Sequence, residues 1–485
     1  MNEKGFGMVR LYILCGASGS GKTTLLNSVS NITESSVDTS YFEKGRFFPT
    51  DLGYDVVRSP KYSDRPIRIK DDEIDDVIHT KDIDRRSFDV CYSLNHVKYG
   101  IKFGEIRKIL SAGKNAIIAI SDIRAIRQLK DHFRDDMRTL YVSSAIDSDR
   151  LRRIQQERLG FSPTDEQKDI LSAQFSRIMS AARLGWWDRV SSCVTDMERN
   201  WHAYATDSKS TEIRINRIRT THLKYIEHIS IYDHVILNYT ENKPEEMKEQ
   251  FLQILRHCPG PAKHMPPPVF IVAAASGAGK ATLMETLNLI GGNQIQITSK
   301  LAKRPPKTGD RRDGMIALRR NDTSKEPVWP SWWNAPMIDC ARSGNFPHEY
   351  DVHWEFHKQN DGTAVPYAVS SKEIDKNIER GIPQIFISNM GMFDYFKKRW
   401  PENSVFIYLY RLTSSEDNRK YQLLQYPNDL ATAEARIKER EVVHSEYIQK
   451  APLFHHVLLN TSYEEDLYDQ MFNLIDFYAK LQTNQ

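Results

Sequence analysis

A chain of 485 residues with 40% hydrophobic and 27% charged side chains holds enough apolar material for roughly two or three buried cores, which excludes disorder as its resting state. Its formal charge of +3 gives no global electrostatic draw toward nucleic acid or membrane. Five cysteines without a Cys-x-x-Cys pair exclude a disulfide or zinc framework; with no signal-peptide layout after Met1 and no apolar run near the roughly 20 residues of a membrane span, the expectation is a cytoplasmic protein with reduced thiols and no membrane partner.

The first apolar run, 11–15, predicts a buried strand and leads into Gly16, Ala17, Ser18, Gly19, Ser20, Gly21, Lys22, Thr23 and Thr24. Glycines at these intervals let backbone N–H groups turn inward around phosphate oxygens, a lysine here reaches the β- and γ-phosphates, and the Thr23 hydroxyl is placed to bind Mg²⁺. A helix beginning at this point directs its positive end at the same anion. Strand, glycine loop and helix together predict an ATP-binding site. Further along, an acidic run at 71–76 reads as a solvated loop, and short apolar runs at 116–120, 139–142 and 234–237 predict further strands separated by helical patterns. That alternation is what a parallel sheet covered by helices produces.

Residues from about 159 to 210 predict a helical insertion carrying Trp186, Trp187 and Trp201 among small and basic residues. Two readings stand for these tryptophans: they pack the insertion onto its domain, or they form a stacking platform for a base or a single strand. After the strand at 234–237 come a helix and a proline-rich stretch, 259–268, that favours an extended spacer.

The order then repeats. Val269 opens a second apolar run leading into a weakened copy of the loop, in which Ser276, Gly277, Ala278, Gly279, Lys280 and Thr282 are candidate ATP contacts. Ala274 stands at the first glycine and Ala281 at the metal-ligating hydroxyl, so this site is the weaker enzyme. Strands follow at 384–388, 405–410 and 457–459. The fold class predicted is α/β: two tandem P-loop kinase domains, each a parallel sheet covered by helices, with a helical insertion in the first. Their bounds are 8–245 and 269–485, with 246–268 as helix and linker.

The order of these features resembles the guanylate kinase family of P-loop phosphotransferases over most of both halves, the insertion excepted. In the first half Tyr99-Gly100 resembles the element that closes the acceptor pocket, Gly113-Lys114 the turn into the central strand, and Asp122 the aspartate that ends it. Arg150, Arg153 and Arg158 resemble lid arginines, and Arg217 the second-helix arginine. In the second half the segment from Arg304 through Arg311 to Gly314, followed by Tyr367, looks closer to the ribose 1,5-bisphosphate phosphokinase branch. There Asn389 stands where Asp122 does, and Arg419 and Arg436 resemble lid and second-helix arginines.

The resemblance implies catalysis by Lys22, Arg153, Arg158 and Arg217, with forked guanidinium donors holding phosphate oxygens. It implies acceptor contacts from Arg58, Tyr99 and Asp122 in the first half and from Arg304, Arg311 and Tyr367 in the second. The function expected is transfer of the γ-phosphoryl group of ATP, with Mg²⁺, to a small phosphorylated acceptor, foremost a nucleoside monophosphate. A ribose-phosphate kinase, a kinase acting on a modified base or end in nucleic acid, and a nucleotide-binding scaffold stand as alternatives, and the oligomeric state is open.

Overall fold

Runs of Val, Ile, Leu and Ala too short to be helices and apolar on both faces can be satisfied only between two helical layers, and in this chain they form two five-stranded parallel sheets. The computed structural model describes residues 10–17, 19–29, 56–64, 77–94, 97–143, 165–187, 189–191, 193–194, 208–238, 244–257, 267–290, 294–304, 315–318, 329–331, 333–356, 364–412, 415–425, 429–461 and 464–483. The chain falls into two compact units, one made of 1–144 with 223–485 and the other of 145–222.

The larger unit begins with β1 (Leu11–Cys15), α1 (Lys22–Val29), β2 (Val56–Arg58), β3 (Tyr62–Ser63), β4 (Ile78–His79), β5 (Val90–Leu94), β6 (Val97–Ile101), α2 (Phe103–Ser111), β7 (Asn115–Ala119), α3 (Ile123–Phe133) and β8 (Met137–Ser143). The smaller unit holds α4 (Asp165–Arg183), and α5 (Ser208–Glu227) supplies residues to both units before β9 (His234–Leu237) and α6 (Pro244–His257). The first parallel sheet has the order β2-β7-β1-β8-β9, with Leu11 opposite both Ala116 and Met137. The chain leaves β1 toward one side and crosses to the other after β7, so the loop after β1 lies at a switch point, where open α/β sheets bind ligands.

The same plan recurs in β10 (Val269–Ala274), α7 (Lys280–Ile290), β11 (Gln296–Ile297), β12 (Lys300–Ala302), β13 (Met315–Ala317), α8 (Ala335–Arg342), β14 (Val352–Phe356), β15 (Val365–Val369), α9 (Ser371–Glu379), β16 (Gln384–Ile387), α10 (Phe393–Arg399), β17 (Ser404–Arg411), α11 (Ser415–Gln425), α12 (Leu430–Lys450), β18 (His456–Asn460) and α13 (Glu464–Thr483). Its parallel sheet runs β11-β16-β10-β17-β18. The α/β class and the pair of helix-flanked parallel sheets expected from the sequence are therefore present. Each parallel sheet is accompanied by a four-stranded mixed sheet, β4-β3-β6-β5 and β13-β12-β15-β14. The second of these packs on Trp333, Met337, Ala341 and Tyr350.

Local sequence explains the element ends. Asp122 starts α3 by accepting the Ala125 N–H at 2.8 Å, and Ala125, Ile126, Leu129 and Phe133 give that helix its buried stripe. Ser370 does the same for α9, accepting from Glu373 N at 3.1 Å. Every residue of β1 is at most 1% exposed, and burial of each Leu or Ile there contributes about 1.5–3 kcal/mol.

The closing strands β9 and β18 are sheet edges, and side chains satisfy them in the same manner. Gln250 on α6 accepts from Leu237 N at 2.8 Å and donates to Leu237 O at 2.9 Å; Gln470 on α13 does so with Leu459 at 2.8 and 3.0 Å. Two tyrosines then exchange across the halves: Tyr225 donates to Val457 O and Tyr447 to Val235 O, both at 2.7 Å. All four groups are buried, so this reciprocal pair ties the two closing strands together without exposing an edge for aggregation.

Candidate active site

Between β1 and α1 the backbone folds into a cradle. Gly16, Gly19 and Gly21 take φ of 148°, 81° and 100°, conformations that side-chain-bearing residues rarely adopt. Lys22 folds back over the loop, its Nζ donating to Gly16 O at 2.7 Å and Ala17 O at 2.6 Å, while Ser121 from the end of β7 donates to Gly16 O at 3.1 Å. Asn238, just past β9, donates from Nδ2 to Ser20 O at 2.8 Å and fixes the far side of the loop. A Cβ on Gly21 would come within 2.6 Å of that same Nδ2, so a glycine is required where the clamp closes. Thr23 and Thr24 are exposed in the first turn of α1. An ammonium, a ring of backbone groups and an exposed hydroxyl at a helix N-terminus are together suited to hold an anion, with an oxygen beside it of the kind that can bind a metal.

The second loop keeps this frame and alters its rim. Lys280 donates to Ala274 O at 3.3 Å and Ala275 O at 2.8 Å, and Asn460 donates to Ala278 O at 2.8 Å, repeating the clamp. Gly277 and Gly279 hold φ of 75° and 104°. The strand, however, runs one residue further, through Ala274, where β1 gives way to Gly16; a Cβ on Gly16 would collide with the Val142 carbonyl. Ala281 has no hydroxyl to offer, and Thr282 is half-buried. Arginines crowd this loop instead: Arg436 on α12 donates to Ser276 Oγ at 2.6 Å, Arg411 at the end of β17 donates to Gly277 O at 3.4 Å, and Arg440 donates to Arg411 O at 3.1 Å. Arg419 is exposed on α11.

Arg58, expected from the sequence at an acceptor, lies on β2, buried and donating to Asn27 Oδ1 at 2.6 Å. Beside it is Lys61, the last residue of Arg58-Ser-Pro-Lys61, a partial match to the acceptor segment. Lys61 is 7% exposed; its Nζ donates to Ala119 O, the last carbonyl of β7, at 3.0 Å and lies 5.8 Å from the centre of the Tyr99 ring. Lys300 repeats this in the second half, donating to Ile387 O at the end of β16 at 3.2 Å and lying 5.6 Å from the Tyr367 ring centre. Tyr99 stacks on Tyr92 and Tyr367 on Trp354, so each tyrosine is held in place by a second ring. Cations seated over ring faces at the ends of the central strands are well suited to read an anionic or oxygen-rich acceptor.

Each half also carries a carboxylate at the start of the helix after this tyrosine. Glu105 accepts from Tyr62 OH at 2.5 Å, and Glu373 accepts from Gln296 Nε2 at 3.3 Å. Burial pushes the Glu373 carboxyl up to about 7, because water no longer solvates its charged form. Asp122 and Asn389 both serve as caps, Asn389 accepting from Met392 N at 3.2 Å. Arg304 is buried just past β12.

Ser18, Arg150, Arg153, Arg158 and Arg311 lie outside the described residues, as do the acidic run at 71–76 and Trp201; Arg217 lies on α5 with its side chain outside them. The repeat supplies a signal for what sequence reading missed. Arg65-Pro66 follows Lys61 by the same interval at which Arg304-Pro305 follows Lys300, and Arg214 precedes Tyr225 as Arg436 precedes Tyr447.

No family model matches this sequence, and no curated protein matches it. Among solved structures, the guanylate kinase of Anaplasma phagocytophilum is similar, at 15% identity and a TM-score of 0.28, over 44% of this chain and 86% of that one. At that identity and score the likeness carries no weight for activity, which must be read from the site itself.

Proposed function

We propose that this chain is an ATP-dependent phosphotransferase that moves the γ-phosphoryl group to a small phosphorylated acceptor, foremost a nucleoside monophosphate, with catalysis in the first half. The observation that carries the reading is the loop after β1: Lys22 parked on Gly16 and Ala17 carbonyls, three glycines at positive φ, and exposed Thr23 at the start of α1. Lys22 at this place in the loop would hold the β- and γ-oxygens of a bound triphosphate through charge-assisted bonds. Thr23 would hold Mg²⁺, which supplies charge neutralisation on the phosphates. Lys61 and Tyr99 face the acceptor, and the arginines at 150, 153, 158, 214 and 217 are the candidates for neutralising charge that spreads over the transferring group.

The second half, with Ala281 in place of Thr23 and arginines on its loop, is proposed to hold a nucleotide through Lys280, Arg436 and the loop backbone; its acceptor, on the resemblance of the segment from Arg304, is a ribose phosphate. Product identification by mass tests both assignments: ATP with nucleoside monophosphates, ribose 1,5-bisphosphate and short oligonucleotides, using wild type, Lys22→Ala and Lys280→Ala. Phosphorylation of a small acceptor that disappears with Lys22→Ala supports the first-half kinase. Loss with Lys280→Ala alone would invert the ranking of the sites, and no turnover of any acceptor would leave a nucleotide-binding scaffold.

A further inference from the structure

The smaller unit has a surface that phosphoryl transfer to a small acceptor does not use. Helices of this length draw most of their stability from burying one face, yet among the described side chains of 169–194 only Ala181 is buried. Phe175, Met179, Leu184, Trp186 and Trp187 are 55%, 43%, 60%, 50% and 68% exposed. Of the two readings of these tryptophans, the exposure of Trp186 and Trp187 favours the stacking platform. Isolated exposed apolar residues are ordinary, but adjacent indoles at this exposure are not.

The backbone around them is fixed. Gly185 turns the chain at φ 71°, Trp186 N donates to Ala181 O at 3.0 Å, and Arg189 N donates back to Trp186 O at 3.0 Å. The Arg189 guanidinium lies 5.4 Å from the Trp186 ring centre, and an open recess is lined by Gly185, Trp186, Trp187 and Arg189. Charge selects the occupant. Residues 169–194 carry three exposed arginines, Arg177, Arg183 and Arg189, against two acids, Asp169 and Asp188. Flat indole faces accept any base, and arginines beside them neutralise phosphodiesters.

We infer that this corner is a stacking contact for single-stranded nucleic acid. The two indoles take bases with little sequence preference, Arg189 reinforces one stack, and Arg177 and Arg183 meet the backbone. Base pairing hides the faces that the indoles need, so duplex is the poorer ligand.

The test is anisotropy of fluorescein-labelled oligothymidylate and oligouridylate of about 20 nucleotides, and of a duplex of equal length, titrated with the full chain at about 50 and 200 mM salt. Oligothymidylate or oligouridylate should bind more tightly than duplex, the stronger of the two naming DNA or RNA. Trp186→Ala with Trp187→Ala should weaken binding by at least about tenfold, Trp186→Phe with Trp187→Phe should retain most of it, and Arg177→Ala or Arg183→Ala should each lower the salt slope by about one. Because both indoles are exposed, circular dichroism should be unchanged in every variant. No binding of either single strand at the lower salt, equal or tighter binding of duplex, or binding unaffected by loss of both tryptophans would overturn the inference.

Discussion

Gly21→Ala isolates the geometry of the first loop because it leaves Lys22 and Thr23 in place. Gly21 sits at φ 100°, where a Cβ costs on the order of 1–3 kcal/mol. The new methyl would also stand 2.6 Å from Asn238 Nδ2, which must withdraw from the Ser20 carbonyl it holds at 2.8 Å. Losing that buried hydrogen bond costs about 1–3 kcal/mol more. The loop can escape both penalties by opening, but the cradle is then lost, so the sum falls on ligand affinity. At about 3 kcal/mol the expected loss in ATP affinity is about 100-fold or more. The assay is calorimetric ATP titration in a Lys280→Ala background, so that the second loop does not mask the first. Asn238→Ala alone removes the clamp without backbone strain and should cost about tenfold. Adding it to Gly21→Ala should cost little more, because the two changes share one contact. Affinity of Gly21→Ala within about threefold of its parent would refute the reasoning.

Three further outcomes follow from the same structure. Lys61→Met should raise the acceptor KM by about 10- to 100-fold while leaving the ATP KM near its parent value, as steady-state kinetics with each substrate varied will show. Glu373 is held near 7 when folded against 4.5 for a free carboxyl. The folded chain thus binds that proton more tightly than the unfolded one, so the contribution of this group to stability falls as pH rises from 4.5 to 7 and then levels off. The loss is on the order of 3 kcal/mol, and Glu373→Gln should remove this pH dependence and raise Tm at pH 8 relative to wild type by differential scanning calorimetry. Tyr447→Phe leaves the buried Val235 carbonyl without its donor and should cost about 1–3 kcal/mol in chemical denaturation; an unchanged midpoint would remove the tyrosine exchange from the account of how the halves are joined.

Every core strand that sequence predicts is present, from Leu11–Cys15 to His456–Asn460, because a buried parallel strand is written as a short apolar run bounded by turns. The mixed sheets were not legible: strands as short as Tyr62–Ser63 and Gln296–Ile297 have too few residues to show a period, and tertiary pairing alone defines them. The loop after β1 was read directly, since glycine, lysine and threonine at fixed spacing are themselves the chemistry. Sequence gives Lys61 only as the end of a partial match, Arg58-Ser-Pro-Lys61, and does not single out Lys300, because a lone lysine reads as a solvated charge; the fold reveals that both are buried against tyrosines at strand ends. Asp122 was marked by its place after the central strand, where the structure shows it capping α3, a task that its sequence position before a helical pattern also encodes.

The measurement that bears most directly on the central claim is calorimetric titration of ATP, with Mg²⁺ and with chelator, into wild type, Lys22→Ala and Lys280→Ala. The account predicts a Mg²⁺-dependent site that vanishes with Lys22→Ala, and a second, Mg²⁺-insensitive site that vanishes with Lys280→Ala, because only the first loop presents a hydroxyl next to its lysine. ATP binding that survives Lys22→Ala with its Mg²⁺ dependence intact would contradict it.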